Sequence, residues 1–197
     1  GAAVTVTYTG AASGTVTDGV DTISFADIET VLVTSYADVV DASGTATAMD
    51  LAGHDGADSL TGGTGADTLS GGLGDDSLVG GDGDDLLKTG QGQDTLEGGS
   101  GNDTLMNSAG DDSLVGGIGN DSLVASAGDD TLEGGDGDDT LYGGTDDDSL
   151  DGGADNDLLL GDMAGVTFNA SGTDGVGLAT NIADFPQTAL SYEITFA

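Results

Sequence analysis

The chain has 197 residues, 37 Asp and Glu against a single Lys or Arg, and a formal net charge of −36. With Lys88 as its one side-chain cation near neutral pH, it has no surface that could track nucleic acid or dock on an anionic membrane, and without cysteine it has neither disulfides nor thiolate metal sites. Leu, Ile, Val and Phe make up only about a fifth of the residues, near the limit below which so charged a chain stays unfolded, so folding depends on how its 38 glycines are patterned.

Residues 1–52 alternate as strands do, in Val4-Thr5-Val6-Thr7-Tyr8, Ile23-Ser24-Phe25 and Val31-Leu32-Val33, and residues 1–50 hold no glycine-rich nine-residue unit. They are expected to form a capping segment, because an open parallel sheet edge invites aggregation. No charged stretch followed by an apolar one marks a signal peptide, and no apolar run of about 18 residues could span a bilayer. Lacking an initiator Met and ending in a strand cut short, the chain reads as a piece of a longer one.

From residue 51 leucine recurs every nine residues: Leu51, Leu60, Leu69, Leu78, Leu87, Leu96, Leu105, Leu114, Leu123, Leu132, Leu141, Leu150 and Leu159. Two residues before each of the last twelve stands an aspartate: Asp58, Asp67, Asp76, Asp85, Asp94, Asp103, Asp112, Asp121, Asp130, Asp139, Asp148 and Asp157. Two before these, glycine fills ten of twelve positions, Asp146 and Asp155 being the exceptions. Nine residues fit no helical period, and this much glycine opposes a helix by about 1 kcal/mol each time. The fitting unit is a six-residue turn such as Gly80–Asp85 followed by a three-residue strand such as Leu86–Lys88. One such strand cannot bury its leucine alone, so successive units must coil into two facing parallel sheets with leucine between them. Residues 18 apart then stack. The loops divide into edge A (53–58, 71–76, 89–94, 107–112, 125–130, 143–148) and edge B (62–67, 80–85, 98–103, 116–121, 134–139, 152–157).

Stacked loops bring aspartates to within about one strand spacing, ~4.8 Å, and such a row of like charges needs a cation. Carboxylates and carbonyls without His or Cys specify a hard metal, and a flexible oxygen cage specifies Ca²⁺ over Mg²⁺.

The pattern Gly-Gly-x-Gly-x-Asp-x-Leu-x over Gly53–Gly161 resembles the RTX, or hemolysin-type calcium-binding, nonapeptide repeat. The resemblance implies an all-β fold, a right-handed parallel β-roll over residues 53–161, with calcium held between consecutive loops of one edge. Its ligands would be the twelve aspartates and carbonyls of loops whose glycines include Gly63, Gly65, Gly72, Gly74, Gly81, Gly83, Gly99, Gly101, Gly117, Gly119, Gly135 and Gly137. Five gaps on each edge would take about ten ions. The segment Phe25-Ala26-Asp27-Ile28-Glu29 is similar to the lead-in found before such arrays. The resemblance further implies a structural, non-enzymatic calcium-binding module of a bacterial secreted or cell-surface protein, exported by type I secretion and folded by calcium outside the cell. The parent chain would be a surface-layer protein or adhesin, with self-assembly at the surface, or a secreted hydrolase, protease or epimerase carrying the roll as an accessory.

The two edges differ. Edge B departs from the glycine pattern only at its last loop, whereas five of six edge A loops lack a glycine, so edge B is expected to bind calcium more tightly. Enzyme signatures are missing: His54 is the only histidine and replaces a loop glycine, Lys88 follows a core leucine on an outer face, and the pair Asp84 and Asp85 recurs as part of a repeat. Residues 162–197 lose the period. A turn at Asp184-Phe185-Pro186 leads into the alternating Leu190–Phe196, either a C-terminal cap or the start of a further β domain that resembles a concanavalin- or laminin-G-like jelly roll.

Overall fold

The computed structural model describes residues 29–161 continuously, together with the strands Thr5–Gly10, Ser13–Thr17, Thr22–Ala26, Thr167–Ala170 and Thr195–Phe196. The turn and most of the strand expected in the tail, and Asp27 and Ile28 of the lead-in, lie outside the described residues.

The repeats form a β-solenoid of about seven turns, consistent with a parallel β-roll. One sheet stacks Ser59–Thr61, Ser77–Asp82, Thr95–Ser100, Ser113–Ile118, Thr131–Asp136 and Ser149–Ala154. The facing sheet stacks Asp50–Asp55, Thr68–Leu73, Leu86–Lys88, Thr104–Met106, Ser122–Val124, Thr140–Tyr142 and Leu158–Leu160. Pairing is parallel and in an 18-residue register, so Leu51, Leu69, Leu87 and their successors form one column and Leu60, Leu78, Leu96 and theirs the other. All thirteen leucines are at most 1% exposed. Side chains alternate along each strand, so the leucine enters the core while its neighbours, Ser and Thr among them, stay on the outer faces. Lys88 is one of these outward residues, between Ser70 and Met106.

Strand length differs between the sheets. Three-residue strands hold in the second sheet from Leu86 onward, but Ser77–Asp82 and Thr95–Ser100 run on into the following loop. They pair Gly81 with Gly99 and Asp82 with Ser100 and skip Gly80 and Gly98. The extension rests on the second loop residue: Gly81 has φ 116 and Gly99 φ 115, a twist that glycine reaches without steric cost and that returns the chain to the ladder. The fourth loop position also takes positive φ in every loop but that of Gly65, and it is kept where glycine is lost, at Asp146 (φ 85) and Asp155 (φ 71). His54 does the same at a second position (φ 78). Asp is among the few residues that visit this region.

The coil does not begin with the glycine repeats. Thr30–Leu32 pairs in parallel with Asp50–Asp55, and Val39–Asp41 with Ser59–Thr61, placing Val31 under Leu51 and Val40 under Leu60. Here the offset is 20 residues, because the connection between Asp41 and Asp50 is two residues longer than in the later coils. Thr5–Gly10 then adds in parallel to Val39–Asp41 and turns antiparallel through Ser13–Thr17 to Thr22–Ala26. Among the described residues there is no helix long and apolar enough to cross a membrane.

Candidate metal centre

The strand-to-loop geometry carries each periodic aspartate inward. All twelve are buried, between 1 and 4% exposed, although they stand in loops. Their Oδ1 atoms form two continuous ladders. On edge B, Asp85 Oδ1 accepts the backbone N–H of Asp67 at 2.7 Å, the Asp85 N–H donates to Asp103 Oδ1 at 2.8 Å, and the series continues through Asp121 and Asp139 to Asp157. Edge A repeats it from Asp58 through Asp76, Asp94, Asp112 and Asp130 to Asp148.

The second oxygen is treated differently. Nine Oδ2 atoms, those of Asp58, Asp76, Asp85, Asp94, Asp103, Asp121, Asp130, Asp139 and Asp148, are buried without a hydrogen-bond partner. Asp67 Oδ2 receives the Gly63 N–H at 2.6 Å, and Asp112 Oδ2 receives the side-chain amide of Asn107. Beside five of the nine orphaned oxygens, the Oδ2 atoms of Asp58, Asp85, Asp103, Asp121 and Asp139, stands a backbone carbonyl. A Cβ placed on Gly80 would lie within 3.0 Å of both Asp85 Oδ2 and the carbonyl of Gly98, so a carboxylate and the next coil's carbonyl converge beside a residue that must lack a side chain. The same pairing occurs at Gly62, Gly98, Gly116 and Gly134 along edge B, and at Gly53 on edge A. At Thr89, Asn107 and Ala125, edge A carries buried side chains in this position instead.

Burial sets the electrostatics. It pushes the carboxyls of Asp85, Asp130 and Asp139 up from 3.8 to about 7, and those of Asp76 and Asp103 to about 6, against the opposing pull of the backbone N–H bond and with help from neighbouring carboxylates. The other seven are raised too, desolvation being the largest cause in each. A buried carboxylate needs a proton or a cation, and the only Lys or Arg, Lys88, is exposed on an outer face. The donor set fits a hard divalent ion, being oxygen alone. No three His, Asp or Glu side chains cluster as a metal site among the described residues, so an ion here would draw on backbone carbonyls as well as aspartates. Glycines of the second and fourth loop positions, among them Gly81, Gly83, Gly135 and Gly137, hold the backbone there at positive φ.

A second ladder was not anticipated. The fifth loop residue, exposed, accepts the N–H of the fifth residue in the following coil. Asp84 takes the Asn102 N–H at 2.8 Å, Asn102 that of Asn120 at 2.9 Å, and Asn120 that of Asp138 at 3.0 Å. Edge A shows it between Asp75 and Gln93 and between Asp129 and Asp147. Asp84 and Asp85 are thus neighbours with separate tasks, one stitching the surface and one facing inward. The signal in the sequence was the recurrence of Asp or Asn before the periodic aspartate.

The inner rows begin before the first glycine loop. Asp38, 1% exposed, donates its N–H to Asp58 Oδ1 at 2.8 Å, and Met49 takes the aspartate's place on edge B, donating to Asp67 Oδ1 at 2.7 Å. Asp38 Oδ2 is held by both the N–H and the hydroxyl of Thr34 at 2.7 Å, the N–H in the same place as that of Gly63 toward Asp67.

A solenoid with rows of buried carboxylates along both edges, those of edge B beside carbonyl oxygens, defines a class of repeat protein organised around loop-bound cations. The chain matches the RTX calcium-binding nonapeptide repeat at residues 52–87, 71–105, 79–114, 106–141 and 133–163, and it belongs to that family. No curated protein matches it.

Proposed function

We propose that this chain is the calcium-binding structural module of a secreted or cell-surface bacterial protein, and that it folds when calcium enters the loop rows after export. The observation that carries the reading is the set of nine buried Oδ2 atoms without a donor, most of them turned toward other oxygens. Bound Ca²⁺ would supply the positive charge that the facing carboxylates lack. The twelve aspartates hold it, the loop glycines leave room for it, and the Oδ1 ladder keeps consecutive carboxylates in line. Up to ten ions, five on each edge, would lower the charge from −36 to about −16. Residues 1–52 act as the cap and 162–197 as a second cap or the start of a further β domain. Other domains of a parent chain are the expected partners, with self-assembly at the cell surface where that parent is an adhesin or surface-layer protein.

The test is a calcium titration of chelated protein by far-UV circular dichroism, with bound calcium counted by equilibrium dialysis and Mg²⁺ as control. Cooperative gain of β signal with several ions bound per chain is expected. A full β spectrum in excess chelator at pH 7.5, or no calcium retained, would overturn the proposal.

A further inference from the structure

On edge A the first loop position changes character midway: Gly53 and Gly71 give way to Thr89, Asn107 and Ala125 before glycine returns at Gly143. Asn107 is the telling member. It is 5% exposed, and its side-chain Nδ2 donates to Asp112 Oδ2, the atom that is orphaned in nine other loops. Its backbone carbonyl is also engaged. The Ser126 hydroxyl of the next coil donates to Asn107 O at 3.1 Å, whereas the corresponding carbonyl on edge B, Gly98 O for instance, lies beside the orphaned oxygen of Asp85. The Asp112 carboxylate therefore has a protein donor, and so does the Asn107 carbonyl, which in the register of Asp85 and Gly98 stands at the neighbouring Asp94 position. At Asp112 a neutral amide does what a positive charge is needed for on edge B, at the cost of leaving Asn107 Oδ1 buried without a donor.

We propose that Asn107, assisted by Ser126, is a built-in substitute for calcium. Its amide closes the Asp112 position to metal, so the edge A row is interrupted there while edge B runs unbroken from Gly80 to Gly134. This inference rests on the calcium reading above and concerns how many ions bind and where.

Reciprocal swaps in the whole chain test it, with bound Ca²⁺ counted by equilibrium dialysis. Asn107→Gly restores the arrangement of the glycine loops and is expected to raise the count by one ion per chain. It should also make the calcium midpoint more sensitive to Asp112→Asn than it is in the unaltered chain. Gly116→Asn, at the same loop position on edge B, is expected to remove one ion. An unchanged count in Asn107→Gly, with calcium-induced folding intact by circular dichroism, overturns the inference and leaves the calcium reading standing. So does an unchanged count in Gly116→Asn if Asn107→Gly fails to fold. A parent chain that retains no calcium defeats both.

Discussion

Without calcium, protons should be able to hold the roll together, and the expected pH window follows from the buried aspartates. The perturbation is to deplete calcium and lower the pH from 8 to 5, staying above the sequence pI of about 4.1, where an uncharged chain would precipitate. Asp85, Asp130 and Asp139 rise from 3.8 to about 7 because burial penalises their charged form, and Asp76 and Asp103 rise to about 6. A raised carboxyl means that the folded chain holds a proton the unfolded chain releases near pH 4. Its contribution is therefore complete below about pH 4, declines as pH rises, and is gone above about pH 7. At ~1.4 kcal/mol per pH unit, each of these five groups disfavours the metal-free roll at pH 7.5 by about 3 to 4 kcal/mol relative to acid. Together they amount to the order of 20 kcal/mol, and half that sum would still match the ~5 to 15 kcal/mol by which whole domains are stable. Far-UV circular dichroism in calcium-depleted buffer should show β signal growing reversibly between pH 7.5 and 5, and saturating Ca²⁺ should flatten that profile. A metal-free spectrum that stays the same from pH 8 to 5 would refute the reasoning, because it would mean that the inner carboxylates carry no penalty when charged.

Asp103→Asn should raise the calcium midpoint more than Asp112→Asn, since Asp103 Oδ2 lacks a donor and Asp112 Oδ2 has Asn107; equal or reversed shifts in a dichroism titration would contradict the edge asymmetry. Gly98→Ala would drive a methyl group to within 3.0 Å of Asp103 Oδ2 and of the Gly116 carbonyl. It should destabilise the calcium-loaded roll by about 2 kcal/mol or more, read as a lower Tm in saturating calcium. Asp155→Gly removes a side chain from a backbone at φ 71 and a charge that raises the carboxyl of Asp157, so it should stabilise the last coil by up to about 1 kcal/mol. A Tm that falls in this variant would show that the Asp155 carboxylate itself contributes.

The nine-residue recurrence of leucine made the two stacked sheets legible, because 18 residues is the length at which side chains return to the same face and column. The aspartates two residues upstream likewise marked both rows, although their depth of burial was not visible: loop carboxylates are ordinarily solvated, and only the stacking of coils encloses these. The N-terminal coil was harder to read. Val31 and Val40 are nine apart and Asp38 stands two before Val40, yet the longer connection after Asp41 breaks the 18-residue count, and Thr34 replaces the glycine signal. The Asp and Asn ladder on the surface escaped for another reason. Its bonds join residues 18 apart and exist only once the coils are in register.

The two hydrogen-bond ladders also fix the unit in which such a roll can change length. Inner carboxylates accept from the coil before them and outer side chains accept into the coil after, so every interior coil presents to its successor the surface it received. Eighteen residues can be inserted or deleted and the junction heals, with each loop still on its own edge. A gain or loss of nine would carry every later loop across to the opposite edge and set Asn107 among glycine loops. Growth by duplication is thereby confined to whole coils, and only the first, with Thr34 beneath Asp38, cannot be copied without closing the row it opens.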